Sequence, residues 1–66
     1  ADIDTLAGET GTALEDMSAG ANGRVELRGT TWSARNTGST PLARGQRFVV
    51  VRAERLTLLV KPEEAV

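Results

Sequence analysis

Apolar and polar residues alternate with a period of two through most of this chain, and glycines divide the pattern into short segments. Such alternation is typical of strands with one buried face. Up to Gly45, glycines interrupt every window of ten or more residues that could carry apolar residues at helical spacing. The pattern therefore predicts an all-β fold, with strands at residues 6–14, 24–28, 31–35, 47–54 and 56–60.

Each predicted strand has one face that we expect to point into the core of a small barrel. The second and third strands form a hairpin connected by Gly29 and Thr30, and residues 36–45 form the longest loop. Leu42 is the only large apolar residue in that loop, so we expect it to plug one end of the barrel. Trp32 is expected to lie at the centre of the core. The predicted inward side chains are Leu14, Met17, Val25, Leu27, Trp32, Ala34, Phe48, Val50, Val51, Ala53, Leu56, Leu58 and Val60.

The fourth strand departs from strict alternation, because Phe48 and Val50 share one face whereas Val51 and Ala53 share the other. A β-bulge at Val50 and Val51 would turn all four side chains inward and bend the strand around the barrel. A strand buried on both faces would also explain the pattern, but a lone sheet of this size cannot easily cover two faces. The sequence therefore favours the bulge.

Composition limits how such a barrel can be stabilised. The 66 residues include no cysteine and no histidine, so neither disulfides nor a structural zinc site can reinforce the fold. Charge is segregated, since residues 24–55 carry seven Arg against two Glu, whereas the two ends carry seven carboxylates against Lys61. We expect the barrel to fold the acidic ends back beside the basic middle.

The expected organisation is one domain at residues 6–62, with short tails at 1–5 and 63–66. No apolar run approaches the roughly 18 residues needed to cross a bilayer, so we expect a soluble domain. The chain begins at Ala1 rather than at Met, which favours a part of a longer protein.

Five short motifs occur in a fixed order along almost the whole chain. They are Gly8 with Gly11-Thr12-Ala13-Leu14, Gly23-Arg24-Val25, Gly29 with Trp32-Ser33-Ala34, Gly45 with Val50-Val51, and Leu56-Thr57-Leu58 with Val60 and Pro62. In this order and spacing the chain resembles the C-terminal soluble domain of NfeD-like proteins. The resemblance implies a five-stranded barrel of the OB type that follows transmembrane helices in its parent protein, on the cytoplasmic face of the membrane. It also implies docking with a stomatin-like (SPFH) membrane protein.

Two positions depart from the pattern of that family. Arg55 stands where the family commonly has glycine in the last turn, which indicates a turn that does not require a positive φ. Val49 stands where a polar residue is usual, which adds an apolar side chain to the outer face.

Catalysis is not expected from this composition. The chain lacks His, Cys and Tyr, so the common general bases and nucleophile activators are missing. Lys61 could pair with a serine, but it precedes Pro62 near an end that we expect to be exposed. The acidic pairs Asp2/Asp4 and Glu15/Asp16 lack the glycine-centred loop of a calcium site. We therefore predict no catalytic residue, no cofactor and no metal.

Binding to another protein is the function that we expect of a monomeric domain of this kind. Val49 and Leu59 fall on outward positions of neighbouring strands, flanked by Arg47 and Arg52, and could form a partner surface. The same two aliphatic side chains could instead pack on each other or under the N-terminal segment.

A basic strand face suggests the alternative function, which is binding of single-stranded nucleic acid. Arg24, Arg28 and Arg35 are predicted to line the outer side of the second and third strands, where OB barrels bind single-stranded nucleic acid. Both aromatic residues have inward assignments, however, so no platform for base stacking is expected. Arginines on this face could also contact anionic lipid headgroups.

Overall fold

The computed structural model of the protein describes residues 6–63. The strands are β1 (Thr10–Ala13), β2 (Asn22–Leu27), β3 (Thr30–Asn36), β4 (Arg47–Glu54) and β5 (Thr57–Pro62). They close into a barrel in the order β1-β2-β3-β5-β4, in which only β3 and β5 run parallel among the pairs described. The predicted all-β, five-stranded barrel is confirmed.

The two ends of the chain lie outside the residues that the structure describes. The tail predicted at residues 1–5, with Asp2 and Asp4, and most of the tail predicted at 63–66 lie outside the described residues. From Leu6 to Glu63 there is no helix that is long and apolar enough to span a membrane.

The hairpin of β2 and β3 follows the predicted alternation, with its turn one residue earlier than expected. Val25 and Ala34 are fully buried. Leu27 pairs with Thr30, so the turn consists of Arg28 and Gly29 instead of Gly29 and Thr30. Both turn residues have positive φ, 55° and 76°, which is the sign pattern of a type I′ turn. This turn type matches the right-handed twist of the two strands, and glycine at its second position tolerates the positive φ.

The bulge predicted in β4 is present, but it turns one side chain in the opposite direction from that expected. The pairing of β4 with β5 shifts between Val50 and Arg52, so Val51 is the extra residue. Phe48 and Val50 are buried, whereas Val51 is 46% exposed. The inward assignment of Val51 was therefore wrong, because the extra residue keeps the strand in phase by pointing outward.

The turn between β4 and β5 contradicts two further predictions. Arg55 has a φ of 59°, so this turn does use a positive φ, at a non-glycine residue. Leu56 follows it in the turn and is 78% exposed, instead of facing the core. The reason is that β5 begins at Thr57, which pairs with Glu54 and leaves two residues for the connection.

β1 is shorter than predicted and pairs with both β2 and β4. It ends at Ala13, which is buried, so Leu14 is 42% exposed and its predicted inward position was wrong. Gly11 permits the double pairing, because the neighbouring strands leave no space for a side chain there. A Cβ at this position would collide with the carbonyl oxygen of Glu26 and lie 2.6 Å from the ring of Phe48.

Phe48, and not Trp32, is the large side chain at the centre of the core. Phe48 is fully buried, whereas Trp32 is half-buried and packs against the cluster from the side. Trp32 lies only two residues after β3 begins, near the hairpin end of the barrel, where fewer neighbours surround it. The core consists of Leu6, Ala13, Met17, Val25, Leu27, Ala34, Leu42, Phe48, Val50, Ala53, Leu58 and Val60.

Replacing Trp32 by Phe should change the free energy of unfolding by no more than about 1 kcal/mol. The indole Nε1 is buried without a hydrogen-bond partner among the described residues. An unpartnered buried donor costs about 1–3 kcal/mol, so its removal offsets the apolar area lost with the smaller ring. Urea denaturation followed by circular dichroism measures the change. A loss of more than about 2 kcal/mol would show that the indole N–H has a favourable partner.

The far end of the barrel is closed by the loop between β3 and β4, and Leu42 is its plug, as predicted. Leu42 is fully buried. Its backbone exchanges two hydrogen bonds with that of Met17, at 2.7 and 2.8 Å. Met17 is also buried. The segments around Met17 and Leu42 thus pair with each other and cover one end of the hydrophobic core.

Asn36 anchors this closure, although the sequence pattern placed it at the start of a loop. It is the only buried polar residue among residues 6–63. Its Nδ2 donates to the carbonyl oxygens of Met17 and Thr40, at 3.1 and 2.9 Å, and its Oδ1 accepts from the N–H of Gly38 at 3.0 Å. One side chain therefore connects three points of the loops that close the barrel.

The predicted mixing of charges is confirmed among the described residues. Four carboxylates from the ends contact the basic middle of the chain. The contacts are Glu9 with Arg28, Glu63 with Arg47, Glu15 with the backbone N–H of Arg24, and Asp16 with the backbone N–H of Arg44.

Candidate functional site

The outer side of β4 and β5 carries the side chains predicted as a partner surface. Val49 and Leu59 both face outward and are half-buried. Arg52 pairs in register with Leu59, and Val49 pairs with Lys61. Val51, the extra residue of the bulge, adds an exposed aliphatic side chain to the same face. The bulge expected from the sequence placed Val51 inward with Ala53, so only the observed orientation of the bulge reveals this contribution.

The two arginines of this predicted surface are already engaged within the domain. Nε of Arg47 lies 3.4 Å from Glu63, and one of its terminal nitrogens donates to the hydroxyl of Thr10 at 2.8 Å. Arg52 forms an ion pair with Glu54 at 2.8 Å. The face therefore offers aliphatic side chains bordered by partly neutralised charge.

The three arginines predicted as a basic strand face do not share one surface. Arg28 lies in the β2–β3 turn and forms a bidentate pair with Glu9, with its Nε 3.1 Å from one carboxylate oxygen. The hydrogen bond and the negative charge of Glu9 raise the pKa of Arg28 above its ordinary value. This pair fixes the turn to the segment before β1 and occupies the guanidinium group.

Arg24 and Arg35, by contrast, lie on adjacent strands and face the same way. Arg24 pairs with Ser33, and Asn22 pairs with Arg35, so the two arginines are diagonal neighbours on the outer side of β2 and β3. Diagonal neighbours of a sheet lie about 7–8 Å apart, within reach of one ligand with two acidic groups.

A surface groove runs over these strands, and we call it the arginine groove. It is lined by Glu15, Asn22, Gly23, Arg24, Ser33, Ala34, Arg35, Glu54, Arg55, Thr57 and Leu59. A second depression, which shares Arg35, Glu54 and Leu59, continues it toward Gly20 and Gly38. Sequence reasoning missed Arg55, which the two-residue turn brings to the start of β5, beside β3.

The arginine groove has a positive charge that the domain does not neutralise. Arg24, Arg35 and Arg55 have no carboxylate within ion-pair distance in the part of the chain between Leu6 and Glu63. The lining also contains two glutamates, so its three arginines leave a net charge of +1. Glu15 accepts a hydrogen bond from the backbone N–H of Arg24 at 2.9 Å, and Glu54 pairs with Arg52.

The groove lacks aromatic side chains. Phe48 is fully buried, and Trp32 packs against the core. Bases of single-stranded nucleic acid are bound mainly by stacking on aromatic rings, in addition to phosphate contacts. The arginine groove therefore suits an anionic group better than a nucleobase.

A closed barrel with a packed interior and a groove on its outer face defines a small binding module, because partners meet it only at its surface. The sequence matches the model of the NfeD-like C-terminal, partner-binding domain over residues 3–62, and the chain belongs to this family. The family resemblance inferred from the sequence is thereby confirmed. The family description gives partner binding as the role of the domain.

Solved structures agree with this assignment. The C-terminal domain of stomatin operon partner protein 1510-C from Pyrococcus horikoshii is 28% identical, with a TM-score of 0.85 and 98% of each chain covered. The soluble domain of a membrane protein implicated in regulation of membrane protease activity, from Corynebacterium glutamicum, is 31% identical, with a TM-score of 0.83 and coverage of 96% of this chain and 100% of that one.

A third structure supports the fold. The soluble domain of the NfeD protein YuaF from Bacillus subtilis is 24% identical, with a TM-score of 0.82, and the match covers 96% of this chain and 80% of that one. No curated protein matches the sequence significantly.

Proposed function

We propose that this domain is the docking module of a membrane-associated protein and that it binds a stomatin-like (SPFH) membrane protein, as a monomer, on the cytoplasmic face. The observation that carries the proposal is the match over residues 3–62 to a family described as partner-binding. The similarity to a domain of a stomatin operon partner protein supports the class of partner. Docking of this kind would help to organise complexes in the membrane.

The outer face of β4 and β5 is the surface that we assign to this docking. Val49, Val51 and Leu59 provide apolar area, and Arg47 and Arg52 border it. Interfaces combine a small apolar centre with a polar rim, and arginine is enriched in them. Because both arginines are held by neighbouring residues, little side-chain entropy would be lost when a partner covers them.

Co-purification of the full-length protein with its SPFH partner tests the docking role. Deletion of residues 6–62 should abolish the complex. A complex that survives this deletion would contradict the proposal, because the membrane-associated remainder of the protein would then be sufficient for binding.

The surface assignment predicts that Val49→Thr combined with Val51→Thr weakens binding about tenfold. Each substitution replaces an apolar group with a hydroxyl of nearly equal size, at a cost of about 0.5–1 kcal/mol when a partner covers it. Thr retains the strand preference of Val, so the melting temperature should change little. Binding of the purified partner is measured by surface plasmon resonance.

The control is Leu14→Gln, which removes an apolar side chain of similar exposure from the end of β1. It should leave affinity unchanged. Equal affinity of the double variant and the unmodified protein would exclude this face as the docking surface, while leaving the result of the deletion experiment intact.

A further inference from the structure

We infer that the arginine groove binds an extended acidic segment of a protein partner, with carboxylates at alternate positions. This inference rests on the proposed docking function and assigns it a second contact, which adjoins the first at Leu59. The charge of the groove carries the argument, because Arg24, Arg35 and Arg55 are exposed and have no carboxylate partner among residues 6–63.

The spacing of the arginines fits an extended polypeptide. Arg24 and Arg35 are diagonal neighbours, about 7–8 Å apart. In an extended chain, side chains two residues apart lie on the same side and are separated by about 6.8 Å. Two acidic residues with one residue between them would therefore place their carboxylates opposite these two guanidinium groups, and arginine binds carboxylates in a bidentate manner.

The remainder of the lining suits the same ligand. Ser33 and Thr57 pair across β3 and β5, so their hydroxyl groups lie between Arg24 and Arg55 and can donate hydrogen bonds to an acidic segment. Leu59 pairs in register with Arg35 and offers one apolar contact. Nucleic acid also presents anionic groups, but the groove has no aromatic ring among its lining residues to stack bases. Anionic lipid presents phosphate groups at the membrane surface, and a competition experiment separates it from an acidic segment.

The test uses a fluorescently labelled peptide of four Glu-Val repeats, titrated against the whole chain, with four Gln-Val repeats as the uncharged control. We expect the acidic peptide to bind and the uncharged one not to bind. Its affinity should fall as salt is raised from about 50 to 300 mM, because exposed ion pairs are screened over this range. The double variant Arg24→Gln with Arg35→Gln should lower the affinity at least tenfold.

Arg44→Gln is the matched control. It makes the same type of charge change on an exposed arginine of the loop before β4, outside the groove, and should leave the affinity unchanged. Equal losses in Arg44→Gln and in Arg35→Gln would overturn the inference, because net charge alone would then govern binding. Binding of both peptides with equal affinity would overturn it as well.

Two competitors distinguish the other ligands. Displacement of the acidic peptide by a single-stranded oligonucleotide or by phosphatidylserine vesicles, at lower concentrations than the unlabelled peptide requires, would assign the groove to phosphate groups and reject an acidic polypeptide. Loss of the acidic contact is separable from loss of docking. If the unmodified protein co-purifies with the SPFH partner but binds no acidic peptide, the groove assignment fails and the docking role stands.

Discussion

Replacement of Phe48 by Ala will remove a large share of the free energy of unfolding of this domain. Phe48 is the largest fully buried side chain, and its ring lies against Gly11, where β1 pairs with both of its neighbours. Truncation of a buried Phe costs about 3–5 kcal/mol. A domain of 66 residues has a total stability of roughly 3–10 kcal/mol, so this single change removes a large share of it.

Urea denaturation and the dispersion of the amide-proton spectrum measure this effect. Phe48→Leu is the first control, because it retains much of the volume and should cost about 1–2 kcal/mol. Val51→Ala is the second control, since its side chain points outward from the same strand, and it should cost less than about 1 kcal/mol. If Phe48→Ala unfolds at nearly the same urea concentration as the unmodified protein, the ring does not occupy the centre of the core.

The second large effect is expected at Asn36. Its substitution by Ala should destabilise the domain by about 2–3 kcal/mol, because the N–H of Gly38 and the carbonyl oxygen of Thr40 would each lose a side-chain partner in a partly buried place. The carbonyl oxygen of Met17 retains its hydrogen bond from the N–H of Leu42. The loss of stability therefore comes mainly from the N–H of Gly38 and the carbonyl oxygen of Thr40.

The variant Asn36→Asp should have a stability that depends on pH, and this dependence tests whether the side chain of residue 36 is buried. A carboxylate at this position would face the carbonyl oxygens of Met17 and Thr40, and burial would raise its pKa in the folded state above the unfolded value of about 3.9. The folded protein would then bind the proton more tightly than the unfolded chain. The stability of this variant relative to the unmodified protein should therefore rise as pH falls from 7 to about 4, and it should be lost again as pH rises through the folded pKa.

Asn22→Asp is the control for this experiment, because Asn22 is exposed at the start of β2 and undergoes the same chemical change. Its stability relative to the unmodified protein should vary little between pH 4 and 7. A pH profile of Asn36→Asp that matches that of Asn22→Asp would mean that the side chain of residue 36 is solvated and does not anchor the closing loops.

The sequence pattern was sufficient for the number and order of the strands, the bulge and the plug. Period-two alternation is imposed by the burial of one face, so it can be read without coordinates. The errors at Leu14, Val51 and Leu56 have a different origin. Each lies at a strand end, in a turn or at the bulge, where hydrogen-bond pairing, rather than hydrophobicity, decides the direction of the side chain.

The burial of Asn36 could not be predicted from the sequence, for a related reason. Asparagine is common in turns, and it stands at the start of the polar segment that forms the longest loop. Its burial depends on three backbone groups that come together only when the loop folds over the barrel. A polar residue at the end of an alternating strand is therefore ambiguous until its partners are known.

The candidate site was predictable in part. The outward positions of Val49, Leu59, Arg24 and Arg35 follow from alternation. The pairing of Arg28 with Glu9 and the arrival of Arg55 beside β3 depend on contacts between distant segments, which spacing along one chain does not encode. Both functional assignments remain predictions that the binding experiments test.

Closure of the sheet also determines how the domain can recognise other molecules. Among residues 6–63 every strand has a neighbour on each side, so only short stretches of main chain lack a ladder partner, such as residues 30–32 of β3 on the side of β5 and residues 51–54 of β4 on the side of β1. Such stretches leave little room for β-augmentation, which tolerates many sequences because it uses the backbone. Affinity should therefore come mainly from side chains, so substitutions on the partner should alter binding strongly, and copies of the domain have little tendency to polymerise through their sheets.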